Sequence, residues 1–348
     1  MTNEPIRLTF RGGGWVLVMT GIVLIAIIAW AVAPAIFRLS NMPPGDNQTI
    51  ESYAFDLSNL QIDRELVVPS MRHRNMSPVI IDPLILSSEE ITVRNSSKRD
   101  PLVVSKDLVV GVEINDESRA YPLHFLHVHE IVNDTLGGVP ISIVWHWPSG
   151  HLAVFERKQD AYFANSGLTG NGGMLFYQLQ ETVGNEQLYA SIISKSVTGP
   201  DKQLRSIPHD VVSWKQWFQI HPNTTSLGPN KQLKKRYRKA SPELYFRTEK
   251  IYFPTAPMPS SENNPKTPVI VVHVEGEDLV YSIPALVHAK GTDDQYFDEG
   301  NNLTFLVKEN PLTASVKTSL GEQVKATRAL WFTWFANHPE SKLVSLPQ

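Results

Sequence analysis

No cysteine occurs among the 348 residues of this chain. Disulfides, thiolate metal sites and thiol catalysis are therefore excluded. An excess of charge of one sign is missing too. With 32 Lys and Arg against 35 Asp and Glu, the net charge is -3, which provides no overall attraction to nucleic acid or to anionic lipid. No nucleic-acid partner is expected. The usual signatures of a cofactor or an activated nucleophile are also lacking: the sequence has no H-E-x-x-H, G-x-G-x-x-G or P-loop pattern and no G-x-S-x-G elbow. The composition, 42% hydrophobic and 19% charged, is that of a folded protein long enough for two ordinary domains.

Long apolar runs are confined to one place. Residues Trp15 to Phe37 carry no charge over 23 positions, enough at 1.5 Å per residue to cross a hydrocarbon layer of about 30 Å. A transmembrane helix is expected over 15–37. Arg7 and Arg11 precede it while Asp46 and Glu51 follow, so the positive-inside rule puts residues 1–14 in the cytoplasm. The protein is then a single-pass protein of the cell membrane, with its bulk periplasmic or otherwise extracytoplasmic. A cleaved signal peptide is the competing reading, but Pro34 directly after Ala31-Val32-Ala33 obstructs that cleavage site. Both readings export residues 39–348.

A mainly β fold, a β-rich α+β protein, is expected: two related antiparallel β units with short packing helices, preceded by the transmembrane helix. Residues 38–107 read as an extended linker or strap. The first unit spans 108–260 and contains an insertion. Val109 to Tyr121 form a hairpin around Asn115-Asp116, Pro122 opens a short helix over Leu123 to Val132, and a second hairpin turns at Pro148-Ser149-Gly150. A shorter second unit, 261–348, resembles the first. Val112 to Tyr121 aligns with Val272 to Tyr281 at an offset of 160, and Trp214-x-x-Trp217 with His221-Pro222 aligns with Trp331-x-x-Trp334 with His338-Pro339 at an offset of 117. Internal duplication explains both offsets, with extra residues in the first unit near 159–200; coincidence of common strand and Trp patterns is the alternative. Each Trp pair shares a helix face, so Trp214, Trp217, Trp331 and Trp334 are expected as buried structural anchors.

Five of the eleven histidines, His124, His127, His129, His146 and His151, fall between Leu108 and Arg157. On a short helix His124 and His127 share a face, and across a four-residue turn His146 and His151 become a directly opposed pair. Imidazole is the common nitrogen ligand of transition metals, so these five residues form a candidate metal set, with Glu130 or His129 as candidate general acid or base. The bland reading is structural histidines and no cofactor. Asn133 and Asp134 are expected to cap a turn. The glycine-rich segment 164–173 reads as a flexible loop, and Ser166 within it is the sole basis for a hydrolase. Lys231 to Lys239 reads as a solvated loop or a lipid-headgroup contact.

Val110-Gly111-Val112-Glu113-Ile114-Asn115, Ala120-Tyr121-Pro122-Leu123, the run His129-Glu130-Ile131-Val132-Asn133-Asp134-Thr135-Leu136-Gly137-Gly138-Val139-Pro140 and Val154-Phe155-Glu156-Arg157 together resemble the DUF3179 family, over roughly residues 100 to 260. Ser166-Gly167, Trp214-x-x-Trp217 and His221-Pro222 continue the resemblance in order. The family is one of unknown function, so the resemblance implies no reaction. It does imply a departure: many members resemble Y-C-P-L-C-G where this chain has Trp145-His146-Trp147-Pro148-Ser149-Gly150, which puts His146 and Ser149 at two cysteine positions. Any thiol redox or thiolate-metal role of those cysteines is lost here.

The leading reading is a membrane-anchored extracytoplasmic binding or assembly module, an accessory subunit that meets the other subunits of a membrane complex, a reading that leans away from an enzyme without deciding the question. A histidine-based metal-binding protein or metal-dependent enzyme is the alternative. An epitope fused after Gln348 is expected to be removed by protease acting on the non-cytoplasmic face of intact membranes; a protected epitope would overturn the export of the body.

Overall fold

The computed structural model describes residues 14–40, 42–97, 101–180, 183–239 and 242–347, in two units, Met1–Pro44 and Gly45–Gln348. In the first unit, helix α1 (Gly14–Ser40) satisfies its own backbone groups, as a chain in lipid must. Its segment Gly14–Pro34 has a mean hydropathy of 2.8 and is, among the described residues, the one helix long and apolar enough to span a membrane, a test that a signal sequence also passes. Arg7 and Arg11 lie outside the described residues.

The second unit is β-rich. It opens with β1 (Val67–Pro69), β2 (Ile80–Ile81), β3 (Ile85–Leu86) and α2 (Ser88–Asn95). A hairpin of β4 (Leu108–Ile114) and β5 (Glu117–Pro122), helix α3 (Leu123–His129) and a meander of β6 (Ile131–Leu136), β7 (Val139–His146) and β8 (His151–Glu156) follow. Strands β9 (Phe163–Gly170), β10 (Gly173–Gln178), β11 (Leu188–Ala190) and β12 (Lys195–Ser196) come before β13 (Asp210–Ser213) and α4 (Trp214–Ile220). After β14 (Thr225–Leu227), α5 (Lys234–Lys239) and α6 (Glu243–Arg247), a second set runs in the order of hairpin, helix, meander, strand and Trp helix. Its members are β15 (Pro268–Val274), β16 (Glu277–Ser282), α7 (Ile283–Ala289), β17 (Gln295–Asp298), β18 (Leu303–Glu309), β19 (Leu312–Thr318), β20 (Ala326–Leu330) and α8 (Trp331–Asn337).

Among the described residues the strands form four sheets, ordered β1-β9-β10-β11-β12, β13-β4-β5-β14-β3, β16-β15-β20-β8-β7-β6-β2 and β17-β18-β19. The seven-stranded sheet is the middle layer. Period-two alternation turns Val132, Ile143 and Leu152 toward the β4-β5 sheet, and Ile131, Val144 and Phe155 toward β9 and β10. Ile270 and Val272 of β15 likewise face the β17-β18-β19 sheet. The two sets cross over where they meet: β20 joins β8 through Arg328↔Leu152, and β13 lies against β19.

Three local expectations are corrected. Helix α3 stops at His129, not Val132, because Glu130 takes a positive φ of 58° and Ile131 already pairs with Val144. Asn133 and Asp134 are buried in the middle of β6 and cap no turn: Asn133 Nδ2 donates to the Phe163 carbonyl at 2.9 Å and Asp134 pairs with Arg119 at 2.7 Å. Segment 164–173 is no flexible loop but buried β9 and the start of β10. What reads as a turn signal there is close packing, since a Cβ on Gly167 (φ 80°) would fall 2.6 Å from the Tyr53 ring.

The four tryptophans are buried. Trp217 lies across Gly111 and its indole N–H donates to Thr224 Oγ1 at 2.9 Å, while Trp334 donates to Ser341 Oγ at 3.1 Å. A Cβ at position 111 would lie 2.2 Å from the pinned Trp217 ring. Gly111→Ala is therefore expected to destabilise the fold by roughly 1–3 kcal/mol through overpacking, read as a lower denaturation midpoint; an unchanged midpoint would show that this helix is not clamped on its strand.

Candidate functional site

Alternation along β7 sends neighbouring residues to opposite faces of the middle sheet. Trp145 faces a cleft of about 860 Å³, and His146 faces a buried cavity of about 50 Å³. The histidine-rich stretch singled out in the sequence thus serves two chambers.

In the cleft, the Trp145 indole N–H donates to His127 Nδ1 at 3.0 Å, which leaves the His127 proton on Nε2. Burial pushes the His127 imidazole down to about 4, so it is a neutral donor at physiological pH. His124, one turn away, lines the same cleft and also an adjoining cavity of about 770 Å³; burial lowers it as well. The walls are apolar at Leu123, Val211 and Leu330, yet Lys106, Arg238, Arg247, Lys266 and Arg328 outnumber Asp107 and Glu243 among the lining charges. Lys266 is already committed: its ammonium donates to the carbonyls of Tyr245 and Thr248 at 2.7 and 2.8 Å and sits over the Tyr245 ring.

Arg328 is different. Its guanidinium donates to the Leu312 carbonyl at 3.3 Å, and burial alone lowers it to about 10, with no carboxylate among the described residues close enough to offset that. The cation nevertheless stays charged at neutral pH. Elsewhere the body satisfies its buried arginines more fully: Arg74 pairs with Glu186 at 2.6 Å, Arg119 pairs with Asp134 at 2.7 Å, and Arg157 donates to four backbone carbonyls. Sequence reasoning missed Arg328, whose one signal is that it is the sole charge in Ala326–Leu330.

The second chamber is built by the turn from α3 into β6. Glu130 closes α3 with φ 58° and ψ -34°, a conformation that costs a non-glycine residue roughly 1–3 kcal/mol. The turn carries its carboxyl into the protein, where Asn165 Nδ2 donates to it at 2.5 Å and Ser77 also bonds it. Burial pushes Glu130 up to about 7 against these hydrogen bonds. Across the cavity, His146 Nδ1 meets Ser149 Oγ at 2.8 Å, and that hydroxyl donates to the His146 carbonyl at 3.0 Å. His146 therefore carries its proton on Nδ1 and leaves Nε2 as an acceptor. Burial pushes it down to about 3. The chamber holds a proton donor and a proton acceptor around room for a few water molecules.

His146 and His151 do stand directly opposite each other across β7 and β8. Burial first, then the neighbouring His146, His209 and His338, push His151 down to about 3, and its Nδ1 has no partner among the described residues. His129 belongs to neither chamber: Nδ1 donates to the Pro78 carbonyl at 2.6 Å and Nε2 accepts from the Tyr237 hydroxyl at 2.7 Å. The five histidines are dispersed, and no three His, Asp or Glu among the described residues are grouped to hold a metal. Ser166 is buried with its hydroxyl bonded to the Leu175 carbonyl, away from any imidazole partner.

Glu130 supplies a pH test. The native state holds a proton that the unfolded chain releases as pH rises above 4.5, so this residue lowers stability progressively up to about pH 7. Glu130→Gln keeps an acceptor for Asn165 and cannot ionise. Relative to the parent chain it is expected to gain on the order of 2–3 kcal/mol between about pH 5 and about pH 8; parallel melting-temperature profiles would remove Glu130 as a buried acid.

Comparison with curated proteins finds no match, and comparison with solved structures finds none either. The DUF3179 family, described as proteins of unknown function, matches residues 83–310, from β3 into the β18-β19 turn, a span that includes His127, Glu130 and His146 but not Arg328. That match covers more than half of the sequence and reaches beyond the stretch that carries the resemblance by eye, and the chain belongs to the DUF3179 family.

Proposed function

We propose that this protein is a membrane-anchored binding module that takes a small anionic ligand, a carboxylate or a phosphate ester, in the cleft beside His127 and Arg328. The observation that carries the reading is the half-buried Arg328 guanidinium, which has one long hydrogen bond to a carbonyl and, among the described residues, no carboxylate beside it. Desolvating a cation without a counter-charge is costly. An anion in the cleft would offset that cost and would also accept from His127 Nε2. The cleft's volume is that of small-molecule sites, and its apolar wall is set among an excess of cations.

Internal duplication accounts for the position of the cleft, between the two sets of strands. Several matched contacts support it. Tyr121 donates to Asp134 at 2.7 Å and Tyr281 to Asp298 at 2.6 Å; the His221 and His338 rings lie 4.0 and 3.9 Å from those of Trp217 and Trp334. Parallel pairing of Ser226 with Ala120 recurs as Leu343 with Val280, at the same offsets of 117 and 160. We further infer that α1 remains as the anchor and that the body faces the non-cytoplasmic side, where it could serve a larger membrane assembly. Strain at Glu130 favours a second reading, a proton-transfer site at Glu130 and His146 reached from the other face of β7.

Arg328→Gln separates binding from folding. Short-chain carboxylates and phosphate monoesters are expected to raise the melting temperature of the parent chain. The variant should lose about tenfold or more in affinity, equivalent to the roughly 1.5–3 kcal/mol of a charged hydrogen bond, while its ligand-free melting temperature stays level or rises. The reading fails if no anion in the series stabilises the protein in an Arg328-dependent manner.

A further inference from the structure

The rim of the cleft carries a surface that neither chamber explains. Between Lys231 and Lys239 the chain has Lys231, Lys234, Lys235, Arg236, Arg238 and Lys239, all exposed. A basic run of this kind on a floppy loop would be a solvated face. Here two buried tyrosines tie the segment to the body. The buried Tyr237 of α5 accepts from the Asn230 N–H at 3.1 Å and donates to His129 at 2.7 Å. The buried Tyr245 of α6 donates to the Pro148 carbonyl at 2.8 Å and is capped by the Lys266 ammonium.

The same two anchors present apolar side chains beside the cations. Leu244 is 76% exposed, Phe246 39% and Tyr252 46%. Water favours the lysines but not these three. A bilayer interface supplies both media at once, anionic headgroups for the cations and an apolar layer just beneath them for Leu244 and Phe246. An aromatic ring with a polar tip also suits headgroup depth. The chain carries a helix able to span a membrane, and tethering keeps the body at high effective concentration near that surface.

We propose that the surface of α5 and α6 docks on anionic lipid headgroups, with Leu244 and Phe246 entering the interface. Because Arg238, Phe246 and Arg247 also line the cleft, docking sets the cleft's mouth at the membrane surface. The overall charge of -3 does not oppose this, since the attraction is local and decays within a Debye length.

The absence of cysteine allows a direct test in the full chain. A nitroxide is attached to Leu244→Cys or, as a control, to Leu320→Cys, a residue 85% exposed on the turn after β19. Each protein is reconstituted into nanodiscs of phosphatidylcholine with or without phosphatidylglycerol, and collision with oxygen is compared with collision with a nickel chelate. The label at 244 is expected to favour oxygen several-fold over the label at 320 in the anionic discs. That preference should vanish at high salt and in the triple substitution Lys235→Glu, Arg236→Glu, Lys239→Glu, made at exposed positions. Water-like collision at 244 in anionic discs overturns the proposal, as does equal immersion in discs of phosphatidylcholine alone. The salt titration needs no substitution beyond the labelling site, so a misfolded triple variant leaves the test decisive. Loss of anion binding in the cleft would leave this result untouched.

Discussion

Strands β6, β7 and β8 are covered on both faces over most of their length, and a polar group in those stretches has no water to turn to. Each must find a partner across a layer or carry the cost of burial. Asp134 reaches one way, to Arg119 and Tyr121 of β5. Asn133, one residue back, reaches the other way, to the backbone of Phe163 on β9. These two residues tie three layers in register, because a slip of one position would send each to the wrong face.

The same constraint makes the two chambers. Trp145 and His146 are neighbours in sequence and are separated by the thickness of a sheet. One meets His127 in a wide cleft lined by cations, the other meets Ser149 in a small cavity beside Glu130. Burial then divides the titratable groups by chemistry. The imidazoles of His127 and His146 are pushed down and the carboxyl of Glu130 up to about 7, so the two imidazoles are neutral near pH 7 while Glu130 exchanges its proton about there. Arg328 cannot neutralise in this way, which is why the cleft retains a positive charge.

Much of the architecture was legible beforehand. The apolar run at Trp15, the hairpins on either side of Pro122, the tryptophan anchors and the opposed pair His146 and His151 follow from length, period and turn residues, which are local properties. The errors were local as well. Glycines in 164–173 carry the same signal whether they turn the chain or admit a neighbouring ring, and only the Tyr53 ring against Gly167 decides between these. Asn133-Asp134 has turn-forming chemistry that the layers on each side of β6 override.

The sequence by itself determined which segments are apolar, which alternate and which chemistries are absent, because these depend on residue type and spacing along one strand or helix. Only the tertiary structure decided where the charges and histidines act. It placed His129 on Tyr237, assembled Glu130 with Asn165 from another layer, and left Arg328 in a cleft with no carboxylate beside it among the described residues. Such partners lie tens to hundreds of positions apart, and whether a cation is paired depends on which distant strand the fold brings beside it.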